Sequence, residues 1–237
     1  MSGRRVTEVP FRSEKITEPL TLAVVSDLHN GDYQDVLPVL AHVDAILIVG
    51  DLVDRHRDGY ERSVRFLQDA PELAPTFYAI GNHERKFKLR AAYWPHVEKS
   101  RVTVLDNRFV PFRGILLGGL SSARKGEVDT RFLSEADGDP AFKLLMCHHP
   151  EYFKRYVRAH DVDLTVAGHA HGGQVQIMGR GVYAPNQGLL PRWTKGFYFD
   201  DRLLVSRGMT NSAWLPRVNN PCELILLKLQ KGQTDEG

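Results

Sequence analysis

Seven short apolar runs set between helical segments constrain this chain more tightly than any other feature. They are Thr21–Ser26, Ala45–Gly50, Thr76–Ile80, Val102–Leu105, Ile115–Gly118, Lys143–Cys147 and Leu164–Ala167. Each is four to six residues long and bounded by Gly, Asp or Pro, the pattern of a strand. Asp35–His42, Tyr60–Asp69, Glu84–Tyr93 and Glu151–His160 read as helices between them, with Pro71 and Pro95 as the stops of the second and third. From Gly172 onward the pattern changes to strands separated by glycine turns: Gln174–Met178, Gly196–Phe199, Leu203–Ser206 and Glu223–Leu229. This second half resembles an antiparallel sheet. No low-complexity linker or repeat divides the chain. The expectation is one α/β domain over residues 1–237, core about 21–229, with two packed sheets and helices outside.

Composition narrows the function classes. The 237 residues carry 31 basic and 29 acidic side chains, a net charge of +2, so no overall field favours nucleic acid or membrane. No apolar run approaches the roughly 20 residues that span a bilayer. Arg4-Arg5 has the look of a twin-arginine export signal, but TEVPFRSEK after Val6 is charged and broken by proline. A cytoplasmic location follows as the expectation, peripheral to a membrane at most. Cys147 and Cys222 are read as free thiols. Cys147 precedes His148 along its strand and so faces the opposite side as a small packed residue.

Ten histidines are the one compositional oddity, and six of them fall in five segments at strand ends. These are Asp27-Leu28-His29, Gly50-Asp51-Leu52-Val53-Asp54, Gly81-Asn82-His83-Glu84, His148-His149-Pro150 and Gly168-His169-Ala170-His171-Gly172-Gly173-Gln174. Asp27 to Asp51 is 24 residues and Asp51 to Asn82 is 31, each about one βαβ unit. Right-handed crossovers of that length bring the three to one carboxyl edge of a parallel sheet. Asp27 with His29, and His169 with His171, stand at i, i+2, a spacing that puts both side chains on one face of an extended chain. Oxygen and imidazole donors without cysteine suit Mn²⁺, Fe²⁺, Co²⁺ or Zn²⁺ and argue against structural zinc.

In order and intact, these segments resemble the signature of the calcineurin-like metallophosphoesterase superfamily: D-x-H, G-D-x-x-D, G-N-H-E, a lone histidine and G-H-x-H. The continuation through Gln174 is similar to a bacterial branch reading G-H-x-H-G-G-Q. The resemblance runs from about Thr21 to Leu229. It implies a four-layer α-β-β-α sandwich of two mixed sheets flanked by helices, and two divalent metal ions about 3.5–4 Å apart. By motif, Asp27, His29 and His171 would bind the first ion, Asp51 would bridge, and Asn82, His148 and His169 would bind the second. The lone histidine matches His148 or His149; His148 is favoured because it directly ends its strand. His83 would protonate the leaving oxygen or stabilise the phosphoryl group, and Asp54 would orient it. Two divalent ions, two aspartates and a bridging hydroxide leave the cluster near +1, attractive to a phosphate ester that the hydroxide would attack in line.

Each residue has a plainer reading. Asp27 and Asp51 could be helix N-caps, Asn82 a turn residue, and His169 with His171 a polar sheet edge. Five such accidents in order are improbable. His42, His56, His96 and His160 lie away from the motifs and read as solvated or core residues. Arg55 resembles a phosphate-contacting arginine of the protein-phosphatase branch, but His56 stands where that branch has glycine; a surface salt bridge is the alternative. Glu84–Trp94 could form a basic, aromatic rim over the site or an ordinary amphipathic helix. The loops Leu189–Trp193 and Trp214–Arg217 suit a substrate with an anionic centre and an apolar or lipid portion, or transient contact with a membrane surface.

The function expected is thus a metal-dependent phosphoesterase, a phosphodiesterase hydrolysing a phosphodiester or pyrophosphate bond ahead of a phosphoprotein phosphatase. A non-catalytic metal-binding scaffold and a nuclease are the alternatives. Near-zero net charge and the lack of a long basic track count against the nuclease and against a stable nucleic-acid partner.

Overall fold

The computed structural model describes residues 4–123, 128–211 and 215–232. Two six-stranded mixed sheets form its centre. The first contains β1 (Arg5–Ser13), β2 (Leu20–Val25), β3 (Ala45–Val49), β4 (Thr76–Ala79), β5 (Thr103–Val104) and β16 (Glu223–Lys231), in spatial order β1-β16-β2-β3-β4-β5. The second contains β6 (Arg108–Phe112), β7 (Ile115–Leu120), β8 (Phe142–Cys147), β9 (Leu164–Ala167), β14 (Gly196–Tyr198) and β15 (Leu203–Val205), in order β14-β15-β9-β8-β7-β6. Two small hairpins lie between β9 and β14: β10 (Gln176–Ile177) with β11 (Arg180–Gly181), and β12 (Tyr183–Ala184) with β13 (Gly188–Leu189).

The period-two alternation of side chains divides each central strand between two cores. In β3, Ala45, Leu47 and Val49 join Leu144 and Met146 of β8 in the layer between the sheets, while Ile46 and Ile48 point outward. Those outward residues pack under α1 (Leu37–Leu40), α2 (Glu61–Leu73) and α4 (Arg90–Lys99), through Leu40, Phe66 and Val97. On the far side, Leu145 and Cys147 of β8 meet Leu133 of α5 (Arg131–Ala136) and the Phe153–Val157 helix that continues α6 (Pro150–Tyr152). Three apolar interfaces therefore separate four layers, helix, sheet, sheet, helix, as the resemblance implied. Both sheet faces are dry, which is why the strands read as continuous apolar runs.

Four expectations need correction. Pro10 does not break TEVPFRSEK: β1 runs through it to Ser13 because β1 is an edge strand, paired only with β16, where a missing N–H is tolerated. Pro71 and Pro95 lie inside α2 and α4 rather than ending them. The helix expected over Glu84–Tyr93 splits into α3 (Asn82–Lys86) and α4, because Phe87 leaves helical geometry at its end (ψ 124°) and is buried in the outer core. The second half makes no sheet of its own. β15 pairs parallel with β9, and β16 crosses to the first sheet between β1 and β2. Also unread in the sequence was β6, an edge strand antiparallel to β7.

The site is positioned by the parallel strands β2, β3 and β4 in one sheet and β8 and β9 in the other. All five deliver their carboxyl ends to the same rim of the sandwich. Leu227 of β16 is fully buried between the sheets. Leu227→Ala should cost about 2–5 kcal/mol, read as a lower urea midpoint at unchanged slope.

Candidate metal centre

Backbone geometry at the strand ends is unusual. Asp27, His29, Asp51, His169 and His171 all have φ between 47° and 65°, the left-handed region that side-chain-bearing residues seldom adopt. Such strain persists only where surrounding contacts overdetermine it. Here they do. Asp27 and His29 donate backbone hydrogen bonds to Gly50 and Asp51 of the neighbouring strand end, at 3.2 and 3.0 Å. Glu84, buried in the first turn of α3, accepts from four amides: Gly81 (2.8 Å), Asp51 (3.0 Å), Leu52 (2.7 Å) and Val53 (3.2 Å). This carboxylate locks the Asp51 loop onto the Gly81 loop. Gly81 must be glycine, since a Cβ there would lie 2.2 Å from Asp51 Oδ1.

Seven side chains converge inside this frame. Asp27, His29 and His171 place one donor atom each within 4.8 Å of one another, and Asp51, His148 and His169 do the same. Asn82 lines the same cavity, beside Asp51, His169 and His171. The two donor groups touch: His148 Nε2 is 2.9 Å from Asp51 Oδ2 and 3.9 Å from Asp27 Oδ1. His148 Nδ1 lies 2.8 Å from the Val49 carbonyl, a contact that fixes its proton there and turns Nε2 inward. His148, not His149, therefore stands beside Asp51. His149 packs against the ring of His169 and lies 3.3 Å from Glu151.

The electrostatics show what the cluster demands. Burial alone would lift both carboxyls, yet His171, His29 and His148 hold Asp27 far below the carboxylate range, and His148 and His83 do so for Asp51. Burial disfavours charge on His148, but Asp51 and Asp27 outweigh it and raise that imidazole to about 10. Burial wins at His171, lowered to about 4, and at His169, also lowered. The donor set fits divalent cations: both nitrogens of His29 and Oδ1 of Asn82 are buried without a hydrogen-bond partner. Atoms so enclosed are costly unless they bind something.

His83 stands at the lip, its Nε2 3.8 Å from Asp51 Oδ2. Its Nδ1 accepts the Arg55 amide at 3.1 Å and lies 3.5 Å from Asp54 Oδ1. Against burial, contacts from His83 and the His56 amide hold Asp54 down at about 2. Arg55 lines the cavity, its guanidinium beside His56; it is Arg57 that approaches Asp54, at 3.4 Å. His56, expected to lie apart, lines the cavity too, its ring 5.5 Å from that of His83. His160 meets its expectation by pairing with Asp137.

The basic, aromatic rim is not there. Arg85 is drawn aside to Asp106, Phe87 is buried, Arg90 covers Trp94, and none of Glu84–Trp94 lines the cavity. Trp193 packs on Phe199, and Trp214 lies outside the described residues. The actual walls are Tyr183, Pro185, Leu215 and Gln174, around about 460 Å³. Sequence reading also gave no role to Glu84 or to Asn186, and placed Arg217 only at the tip of a substrate-facing loop. The Asn186 amide nitrogen sits 3.0 Å from both His169 Nε2 and Glu151. Arg217 bonds the Thr210 carbonyl and approaches His171 Nδ1 at 3.2 Å. Glu84 could have been found in the last letter of its motif; the other two come from loops without one.

Two sheets delivering buried aspartate, asparagine and histidine donors to one rim define a metal-dependent phosphoesterase scaffold. The profile described as calcineurin-like phosphoesterase matches residues 20–173, and the chain belongs to that family. An uncharacterized metallophosphoesterase of Helicobacter pylori is 27% identical over 186 residues, 72% of this chain and 50% of its own. Phosphodiesterase YaeI of Escherichia coli is 27% identical, over 67% of this chain and 63% of its own. The uncharacterized metallophosphoesterase YkuE of Bacillus subtilis is 25% identical, over 78% and 70%. The chain spans about half the length of the Helicobacter relative it matches. No helix among the described residues is long and apolar enough to cross a membrane.

Removing the Glu84 carboxylate leaves four buried amides unpaired. Glu84→Ala should cost about 3 kcal/mol or more in the metal-free chain and lower bound metal after dialysis. Glu84→Gln, which keeps one acceptor oxygen, should fall between. Wild-type urea midpoints and metal content in Glu84→Ala would refute this role for Glu84.

Proposed function

We propose that the chain is a two-metal phosphodiesterase. The observation that carries this reading is the pair of adjoining donor groups, with Asp51 in contact with the second and 3.8 Å from His83. Asp27, His29 and His171 would hold one divalent ion, Asn82, His148 and His169 the other, and Asp51 both. Mn²⁺, Fe²⁺, Co²⁺ and Zn²⁺ suit these oxygen and nitrogen donors. Bound there, such a pair supplies an activated water near neutral pH and a positive field for phosphoryl oxygens.

The chain's own groups do the rest. The Arg55 amide donates to Nδ1, so the ring hydrogen of His83 sits on Nε2, the atom directed at Asp51 and the cavity. It is thus placed to donate a hydrogen bond to a phosphoryl or departing ester oxygen as charge builds there. Asp54, ionised and buried, lies 3.5 Å from Nδ1 and steadies the ring. Arg55, on the cavity lining, is available to a phosphoryl oxygen.

A diester is favoured over a monoester by the walls. Tyr183, Pro185 and Leu215 offer apolar surface to a second ester group, and among the described residues Arg55 is the one Lys or Arg on the lining, matching one negative charge better than two. The printed name of the Escherichia coli relative supports the same choice.

The test is hydrolysis of chromogenic bis-aryl and mono-aryl phosphates after chelation and reloading with Mn²⁺. The diester should be preferred at least tenfold in kcat/KM. Asp51→Asn should lose metal and activity together, while His83→Asn should keep the metal and lose about 10²-fold or more in kcat. Full metal loading with no turnover of either ester would instead make the chain a binding scaffold.

A further inference from the structure

The two small hairpins beside the metal centre carry features that catalysis does not use. Met178 is 99% exposed, Leu189 77%, Leu190 76% and Ile177 62%, a concentration of large apolar side chains in water. They are close neighbours. Met178 and Gly179 form the two-residue turn between β10 and β11, the Leu190 amide bonds the Val182 carbonyl, and Leu189 pairs with Tyr183 across β12 and β13.

The conformations add weight to this. Met178 has φ 49° and Gly179 φ 80°, a turn in which the first position favours asparagine. Leu190 has φ 53°. Asparagine or glycine would adopt these angles more easily, so the fold holds two large apolar side chains outward against local preference.

Charge identifies the occupant. A depression of about 370 Å³ between the hairpins and the next loop is lined by Arg180, Arg192 and Lys195 together with Leu190, and by no acidic residue. None of the ion pairs among the described residues involves Arg180, Arg192 or Lys195. Apolar tips beside unpaired cations match the two layers of an anionic bilayer surface, acyl boundary below and phosphate headgroups above. The platform is continuous with the site, since Tyr183 and Pro185 of the same hairpin wall the catalytic cavity.

We propose that the β10–β13 hairpins form a docking surface for anionic phospholipid membranes, seating the cavity mouth at the interface. Ile177, Met178, Leu189 and Leu190 enter the acyl boundary, while Arg180 and Arg192 bind headgroup phosphates, Lys195 being held by Gln176 at 2.5 Å.

Flotation of the chain with vesicles tests this directly. It should float with phosphatidylcholine containing about one-third phosphatidylglycerol, far less with phosphatidylcholine alone, and less as salt rises. Met178→Ser, Leu189→Ser and Leu190→Ser combined should lower the partition coefficient about tenfold or more, as should Arg180→Glu with Arg192→Glu. Both variants should keep the parent's thermal midpoint and its turnover of a soluble ester, since they alter exposed positions away from the donors. Asp51→Asn should float like the parent, so docking stands or falls separately from catalysis. A parent chain indifferent to anionic vesicles, or a serine variant that floats undiminished, overturns the proposal. Sedimentation showing a dimer dissolved by the same serines, with vesicles ignored, overturns it in favour of self-association.

Discussion

Asp27 and Asp51 are both fully buried, at adjacent strand ends, and both are held ionised. Two negative charges in a dry interior are tolerable only beside positive charge and directed hydrogen-bond donors. Backbone amides of His83 and His169 supply part of this, donating to Asp51 and Asp27 at 2.8 Å and about 3.1 Å. Protonated His148 supplies more in the chain by itself. Divalent cations would supply it in full, and the partnerless atoms of His29 and Asn82 already face inward to receive them. Much of what is locally unfavourable at this rim follows from that single requirement.

The requirement explains the backbone. Relaxed strand ends would splay the donors outward, so five of the seven sit in left-handed conformations that turn them inward. The fold meets that cost with Glu84, whose carboxylate ties down four amides at once, and with glycines where any side chain would strike an aspartate. The candidate donor residues and the residues that restrain them are thus different sets, and a motif letter can belong to either.

That division decides what could be read in the sequence. Strands buried on both faces leave unbroken apolar runs, so β2, β3, β4, β8 and β9 were legible along with the donors at their ends. Edge strands β1 and β6 were not, because one side meets water and their composition looks like loop. Phe87 shows the same limit from the other direction: tertiary burial, invisible in local periodicity, divides a helix that the pattern draws as continuous. The cavity walls were least legible. Tyr183 and Pro185 come from a short hairpin whose placement depends on the finished sandwich, Leu215 comes from a loop singled out for its apolar residues, and the aromatic-basic segment beside His83 turned out to serve the outer core.

The position of β16 has a temporal consequence. It sits between β1 and β2, pairing Ile225 with Val24 across about 200 residues of chain. On the ribosome, β2 and its terminal Asp27 must therefore wait for about 200 further residues to emerge before one flank is covered. Early in synthesis the aspartates and histidines would hang on an incomplete sheet, unable to hold their inward-turned geometry. A nascent chain built this way would have little means of trapping the wrong ion before β16 has paired.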